Sequence, residues 1–235
     1  MLAAARGPAF APEPLDARDV ESLLAALRTQ ATRVFDLLKD SVAGLSDDLV
    51  DLAGLVLSRR RHILDSFRLP AGNGSFGERM RVHGDYHLGQ VLQVKGDFVI
   101  LDFEGEPARP LAERRAKLSP LKDAAGMLRS LGYAAYAGLM AYTARRPDDW
   151  ESMEPWARVW ENSMSAEFLR AYRSTASNAK FLPSTEEGFG KLLDIFLLDK
   201  VLYELSYELN NRPAWVRIPL TGILKLALKD GGRRS

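Results

Sequence analysis

The chain has 235 residues, of which 46% are hydrophobic and 27% charged, as in an ordinary soluble globular protein. A formal net charge of +1 gives no electrostatic reason to expect nucleic acid or an anionic membrane as a partner, and the lack of cysteine excludes disulfides and thiolate metal sites. The longest apolar run, 131–142, is shorter than the roughly 20 residues that a membrane span needs. We therefore expect a cytoplasmic protein that binds neither nucleic acid nor membrane.

Residues 1–15 are predicted to form an extended arm or linker without helix or strand, because the prolines at 8, 12 and 14 remove hydrogen-bond donors and fix φ. Asp16, Ser46 and Ser119 are suitable caps for the first three predicted helices. Apolar residues at helical spacing, together with a Ser119-Pro120 start, predict helices over about 16–39, 47–67, 120–145, 155–172, 185–210 and 220–229.

The middle of the chain contains the predicted strands. Two β-rich runs, 90–94 and 97–101, flank a Lys95-Gly96-Asp97 turn, as a hairpin requires. The glycine-rich segment 70–77 lacks a preceding strand and the spacing of a nucleotide loop, so it is predicted to be a plain connection. The architecture is therefore expected to be mainly α with a small β-hairpin.

The sequence His-Gly-Asp-Tyr-His-Leu-Gly-Gln at 83–90, followed by Asp-Phe-Glu at 102–104, carries the chemistry. Phosphoryl transfer needs a carboxylate to orient the acceptor hydroxyl and metal ligands to hold the nucleotide phosphates. Asp85 stands where a kinase has its base, and Gln90 stands where it has a metal-binding Asn. Asp102 is the second predicted metal ligand. The pattern thus predicts a kinase-type site for ATP and Mg²⁺, with His87 beside the transferring phosphate.

Several polar residues of this stretch also have plain structural interpretations. A lone His-x-Asp is a weak signal, and His83 is predicted to brace the loop by hydrogen bonds. Glu104 either assists metal binding or pairs with an arginine such as Arg109. Asp123, in the first turn of the helix that begins near 120, could accept hydrogen bonds from the backbone of the 83–90 loop.

Taken together, these motifs resemble the maltokinase family, which has an aminoglycoside phosphotransferase-like, protein-kinase-like fold and occurs alone or fused to a trehalose synthase. The similarity runs from the Phe-Ala-Pro-Glu-Pro arm at 10–14 to Leu220. Its most specific segments are Asp-Phe-Glu-Gly-Glu-Pro at 102–107 and Tyr-Glu-Leu-Ser-Tyr-Glu at 203–208.

The resemblance implies ATP-dependent phosphorylation of maltose to maltose 1-phosphate, a step in α-glucan and trehalose metabolism. It implies that Asp85 contacts the acceptor hydroxyl, and that Lys200, Tyr203 and Tyr207 bind the sugar. Residues three and four apart share a helix face, so an ammonium and two phenols can point to one side. The alternative is that the tyrosines are core residues and the lysine a surface charge.

One departure from kinases of this fold bears on the domain organisation. No segment before Asp16 can encode a phosphate-covering loop, a strand lysine and a helix glutamate. Residues 16–235 are therefore expected to be the C-terminal lobe, which binds acceptor and Mg²⁺, without its nucleotide lobe. The chain alone is expected to be weakly active or inactive, with the missing lobe or a trehalose synthase as a possible partner. A related kinase with another hydroxyl substrate, and a non-catalytic sugar-binding or partner-binding lobe, remain alternatives.

Overall fold

The structure is a computed structural model that describes residue 7 and residues 9–69, 75–107 and 109–231. Its helices and strands are β1 (Glu13–Pro14), α1 (Ala17–Ser41), α2 (Asp47–Ser58), α3 (Arg60–Ser66), β2 (Glu78–Arg81), β3 (Val91–Val94), β4 (Asp97–Ile100), α4 (Leu111–Arg114), β5 (Lys117–Leu118), α5 (Leu121–Thr143), α6 (Trp150–Thr175), α7 (Glu186–Asn211) and α8 (Arg217–Gly231). The described residues are thus mainly helical, as predicted, and they contain a three-stranded sheet besides the predicted hairpin. Most of the glycine-rich segment, 70–74, lies outside the described residues.

The cap at Asp16 and the hairpin confirm the local sequence signals, whereas the Ser46 side chain makes no capping hydrogen bond and the N-cap of α5 is Pro120 instead of Ser119. Asp16 accepts a hydrogen bond from the Asp19 N–H at 2.8 Å, and the Asp19 carboxylate accepts one from the Asp16 N–H, which forms a capping box. Thr185 caps α7 through the Gly188 N–H. Between β3 and β4, Lys95 and Gly96 both have positive φ, 51° and 85°, as a two-residue type I′ turn requires.

The single helix predicted over 47–67 is wrong, since α2 and α3 are separated at Arg59. At the break, the Ser58 hydroxyl donates to the Leu55 carbonyl at 2.8 Å, and the Arg59 guanidinium donates to the same oxygen at 3.4 Å. The Arg59 N–H bonds instead to the Val56 carbonyl at 3.1 Å, which closes a tighter turn. The apolar spacing continues across this turn, so it could not reveal the break.

The arm before Asp16 was predicted to contain no strand, and this is also wrong. Glu13 and Pro14 pair with β2, which pairs in turn with β5, so the three form an antiparallel sheet in the order β1-β2-β5. A proline fits here because β1 lies at the edge, where no neighbour needs its missing N–H. Leu15 supplies the next donor, to the Gly77 carbonyl at 3.0 Å.

The chain divides into two compact units. The first contains the described residues up to Leu15 together with Ser75–Ser184, and so holds both sheets, α5 and α6. Within it, α5 packs along α6, and the Tyr136 hydroxyl donates to Glu154 at 2.8 Å between the two helices. Burial and this bond both raise the pKa of the Tyr136 phenol. Helix α6 begins at Trp150, five residues before the predicted start at Pro155, and Pro155 lies inside the helix.

The second unit contains α1, α2, α3, α7 and α8. Its helices surround a core of large apolar side chains, in which α1 packs on α7 and α8 packs on both α7 and α2. Fully buried members of this core include Phe35, Leu38, Ile63, Phe196, Leu202, Leu205 and Ile223. No helix among the described residues is long and apolar enough to cross a membrane.

Candidate phosphoryl-transfer site

The 83–90 loop is fixed to the first turn of α5 by a single carboxylate. Asp123 accepts hydrogen bonds from the backbone N–H groups of His83, at 2.7 Å, and Gly84, at 2.9 Å. Burial raises the pKa of the Asp123 carboxyl, and the hydrogen bonds from Gly84 and His83 act in the opposite direction. The sequence-based prediction that Asp123 binds this backbone is confirmed.

Two further residues on the same face of α5 hold the loop close to the helix. A Cβ atom on Gly126 would lie 2.6 Å from the Tyr86 carbonyl oxygen, so only glycine permits this approach. One turn later, the Ser130 hydroxyl accepts from the Leu88 N–H at 3.0 Å. Residues 123, 126 and 130 follow the i, i+3, i+7 spacing of one helix face, so α5 positions the loop at three successive points.

His83 braces the loop from inside, as predicted. Its imidazole Nε2 lies 2.6 Å from the Leu101 carbonyl, which can only accept, so Nε2 carries the proton. Nδ1 then accepts from the Asp85 N–H at 3.3 Å. The ring, which is almost fully buried, also packs against the rings of Tyr86 and Phe103. His83 therefore links the loop to the start of the Asp-Phe-Glu turn.

Asp85 and His87 lie beside each other on the exposed side of the loop. The His87 Nδ1 accepts from the Gly89 N–H at 3.0 Å, which leaves the ring proton of the neutral imidazole on Nε2. That Nε2 lies 3.6 Å from an Asp85 carboxylate oxygen. The Asp85 side chain is 17% exposed and the His87 side chain 38%, so both remain open to a ligand.

The two predicted metal ligands come together at the base of the hairpin. The Gln90 amide Nε2 lies 3.3 Å from an Asp102 carboxylate oxygen, and the Leu101 N–H donates to the Gln90 carbonyl at 2.9 Å. Asp102 has a φ of 56°, a left-handed conformation that is uncommon for a residue other than glycine. Such outliers cluster at functional sites, where the surrounding structure holds them.

This pair fits a Mg²⁺ ion that also binds nucleotide phosphates. No group of three or more His, Cys, Asp or Glu suited to a metal occurs among the described residues. Mg²⁺ at kinase sites, however, takes only one or two carboxylates plus phosphate oxygens and water. A half-turn of the Gln90 amide would direct its oxygen to the position that its NH₂ now occupies, so Gln90 and Asp102 could each supply an oxygen.

Glu104 and Arg109, which were considered as a pair, have other partners. Arg109 binds Glu113 of α4, four residues further along the chain, at 3.3 Å. Glu104 lies 4.0 Å from Arg114 and its side chain is 81% exposed. A surface pair at this distance contributes little to stability. Nothing in these contacts assigns Glu104 to the metal.

The predicted sugar-binding residues lie on α7, in the second unit. The Lys200 ammonium stands over the Tyr203 ring, 5.1 Å from its centroid, and Tyr207 is 44% exposed. Arg212 covers Tyr207 at 5.2 Å while it binds Glu208 through two hydrogen bonds, of 2.6 and 2.9 Å. Lys200 and Tyr203 are thus brought together, and the buried Glu208 has a structural ion pair.

Sequence reasoning assigned no role to Ser130 or Tyr172. The Tyr172 hydroxyl, on α6, is buried without a hydrogen-bond partner among the described residues. Burial, with the charge of Asp123, raises its pKa to about 12. The i+7 spacing from Asp123 could have identified Ser130, whereas nothing in the sequence connects Tyr172 to the loop.

Comparisons with known proteins point to sugar kinases. The chain is 31% identical over 153 residues to a glucosamine kinase of Streptacidiphilus jiangxiensis, a match that covers 63% of this chain and 32% of that protein. For a glucosamine kinase of Mycolicibacterium smegmatis, the identity is 32% over 142 residues, with 58% and 32% covered. No family model matches the sequence.

Solved structures give the same result. A glucosamine kinase (crystal form B) superposes with a TM-score of 0.71 at 26% identity, covering 97% of this chain and 50% of that one. A glucosamine kinase in complex with glucosamine, ADP and inorganic phosphate has a TM-score of 0.69 at 24% identity, with 96% and 47% covered. The chain therefore has a sugar kinase-like fold. It spans about a third of the curated relatives and about half of the solved chains.

Proposed function

We propose that this chain is the acceptor-binding and metal-binding portion of an ATP-dependent sugar kinase. The observation that carries the proposal is that the loop of Asp85 and His87, which α5 holds at three points, ends at Gln90, whose amide contacts Asp102. The likeness to glucosamine kinases over nearly the whole chain supports it. The residues that clamp the nucleotide from the other side are proposed to belong to a lobe outside this sequence.

In this proposal, Asp85 orients the acceptor hydroxyl and takes its proton as the oxygen attacks the γ-phosphorus of ATP. The bond from that phosphorus to the ADP oxygen breaks, so the products are a sugar phosphate and ADP. His87, which carries its proton on Nε2 beside Asp85, can donate a hydrogen bond to the transferring phosphate. Gln90 and Asp102 would hold Mg²⁺, which neutralises charge on the nucleotide phosphates.

Lys200, Tyr203 and Tyr207 are proposed to contact the sugar. Tyrosine offers a flat apolar face for a sugar ring and a hydroxyl for its polar edge. Glucosamine is the first acceptor to test, because both curated relatives are named for it. Maltose, phosphorylated at its anomeric hydroxyl, is the second, because the sequence motifs resemble maltokinases.

An NMR titration of the isotope-labelled chain with glucosamine, maltose and glucose tests the acceptor. Saturable amide shifts with glucosamine, weakened by Tyr207→Ala, would support the amino sugar, and the same pattern with maltose would support the disaccharide. The exposed Tyr142→Ala variant is the matched control. If the folded chain responds to neither glucosamine nor maltose, the assignment of the sugar-binding residues is wrong.

A second titration tests the metal site without any need for activity. Mn²⁺, a paramagnetic substitute for Mg²⁺, should broaden amide signals near Gln90 and Asp102 when ADP is present. Asp102→Asn should remove this broadening, whereas Asp97→Asn, at the exposed hairpin turn, should leave it unchanged. Equal broadening in both variants would contradict the ligand assignment.

A further inference from the structure

The outer face of α6 is apolar over about two turns. Within its unit, α6 packs along α5, and none of its 26 residues, all of which are described, is buried. Trp156, Val159, Trp160 and Met164 are 68%, 55%, 44% and 41% exposed. Their i, i+3, i+4 and i+8 spacing places them on one face of the helix, and we call this set the α6 stripe.

The α6 stripe is large enough to be an interaction surface. Single exposed apolar residues are normal on a soluble protein, whereas contiguous apolar patches of a few hundred Å² mark binding surfaces. With about 250 Å² for a whole tryptophan side chain, Trp156 and Trp160 alone expose roughly 280 Å². The stripe contains none of the residues predicted for the candidate site, so it calls for a separate explanation.

The charges at the two ends of α6 differ in sign. Residues 148–151, at its start, contain three acidic side chains and no basic one. Residues 167–173, near its end, contain Arg170 and Arg173 with one glutamate, Glu167, which binds Arg170 at 2.8 Å. The end of the helix therefore keeps a net positive charge. A complementary partner is apolar in the middle and carries its charges in the reverse order along the helix.

We propose that the α6 stripe binds the α6 stripe of a second copy of this chain, in an antiparallel two-fold dimer. A two-fold axis pairs the same surface of both copies, so an antiparallel α6 supplies the apolar middle and the reversed charges by symmetry. With the axis at Trp160, Trp156 faces Met164 of the second copy, a favourable contact between a ring and a sulfur. Asp149 then lies near Arg170 of the second copy.

The size of the stripe sets the expected strength of the dimer. The tryptophans of two copies would remove roughly 550 Å² from water. With their neighbours, the interface would lie near about 1,200 Å², the lower limit of standard interfaces, where complexes are weak or transient. Charge pairs at the rim add little affinity but fix the orientation. We therefore expect a monomer–dimer equilibrium in the micromolar range, which goes beyond the proposed function and does not depend on it.

The first test is sedimentation velocity of the whole chain, whose monomer has a mass of 26.1 kDa, between about 1 and 500 µM. We expect the mean mass to rise towards twice this value. Trp160→Glu, which places two like charges at the axis, should keep the chain monomeric at an unchanged fold, as circular dichroism would show. Phe98→Glu, at the exposed hairpin, is the matched control and should associate like the wild type.

Reversal of the end charges tests the orientation without any change to the stripe. Arg170→Asp should weaken the dimer about threefold to fivefold, because two acidic side chains would then lie near each other. Adding Asp149→Arg should restore the association, since the pair is then only reversed. A double variant that associates no better than Arg170→Asp alone would overturn the antiparallel arrangement.

The lack of cysteine in the chain allows a direct check of the register. Val159→Cys, next to the axis, should form a disulfide with its own copy under mild oxidation. Ser152→Cys should not, because at a rise of 1.5 Å per residue its two copies would lie roughly 24 Å apart along the helices.

Three results would overturn the proposal. The first is a wild-type chain that stays monomeric up to the highest concentration. The second is association that Phe98→Glu abolishes and Trp160→Glu does not, which would assign self-association to the hairpin. The third is self-linking of Ser152→Cys, which requires parallel helices.

Discussion

Two consecutive stretches, 83–90 and 91–100, differ in what holds them in place. The loop 83–90 is fixed from outside, since Asp123, Gly126 and Ser130 of α5 each contact its backbone. The hairpin 91–100 is held by its own ladder, and most of its side chains face water. The difference shows that α5 fixes the loop that carries Asp85 and His87, whereas the hairpin between Gln90 and Asp102 is held only by its own hydrogen bonds.

Removal of the Asp123 carboxylate should give the largest effect. Asp123→Ala leaves the His83 and Gly84 N–H groups without their acceptor, at about 1–3 kcal/mol for each unsatisfied buried donor. We expect the free energy of unfolding to fall by about 3 kcal/mol. Chemical denaturation measures the loss, and hydrogen exchange should show faster opening of 83–90.

The exposed Asp148→Ala, in the same unit, is the control and should change little. An Asp123→Ala protein as stable as the wild type, with unchanged exchange in the loop, would mean that α5 does not hold the loop through this carboxylate.

Gly126→Ala should give the next largest effect, through steric contact alone. The added Cβ would lie 2.6 Å from the Tyr86 carbonyl oxygen, so the loop must move away from α5. Overpacking of this kind costs about 1–3 kcal/mol. Denaturation midpoints and the exchange rates of residues 83–90 measure it.

Gly138→Ala on the same helix is a matched control, because its Cβ would meet nothing within 4 Å. There the higher helix propensity of alanine should stabilise the chain by up to about 1 kcal/mol. Opposite signs for the two substitutions are the expected result, and equal signs would contradict the close contact between loop and helix.

The features of the fold and of the site that the sequence predicted correctly depend on short-range signals. The type I′ turn at Lys95-Gly96 and the cap at Asp16 are each encoded within a few residues. Asp123 was predicted from its place in the first turn of a helix with a clear start. The bracing role of His83 was inferred from its position in the loop alone, and its two partners became visible only in the structure.

The parts that the sequence did not predict depend on contacts between distant residues or on competing local bonds. Strand β1 pairs with β2 across more than sixty positions, and each strand is too short to show a β pattern. The break at Arg59 replaces the i−4 hydrogen bond of this residue by a bond to the Val56 carbonyl, a local change that the apolar spacing does not encode. The choice between a core and a sugar-binding role for Tyr207 depends on packing in three dimensions, which spacing on one helix cannot determine.

A smaller effect is expected from Ser130→Ala, which tests the third point of attachment. The Leu88 N–H loses its acceptor, but it lies at the surface, where water can replace the hydroxyl. The cost should be about 0.5–1 kcal/mol, the net value of an ordinary hydrogen bond. Hydrogen exchange of Leu88 should accelerate while that of His83 stays the same. Ser130→Thr, which keeps the hydroxyl, should restore the slower rate.

The smallest effect concerns the sheet that leads into the loop through β2. Glu13 on β1 binds Lys117 of β5 and Arg79 of β2, and the hydrogen bond from Lys117 is the main cause that holds the pKa of Glu13 below its ordinary value of 4.5. A lowered folded-state pKa means that the ion pair contributes stability above pH 4.5 and loses it as the pH falls through the folded value.

Acidification should therefore loosen β1 before the loop responds, because Asp123 has no part in this pair. NMR measurement of the Leu15 amide, which donates to the Gly77 carbonyl, should show this bond weakening below pH 4.5 in the wild type. Glu13→Gln should remove that pH dependence, whereas Glu151→Gln, exposed on α6, should retain it. If the Leu15 and His83 amides change together instead, the edge strand and the loop form one cooperative element. The hairpin 91–100 would then be the only neighbouring segment that is held independently of the loop.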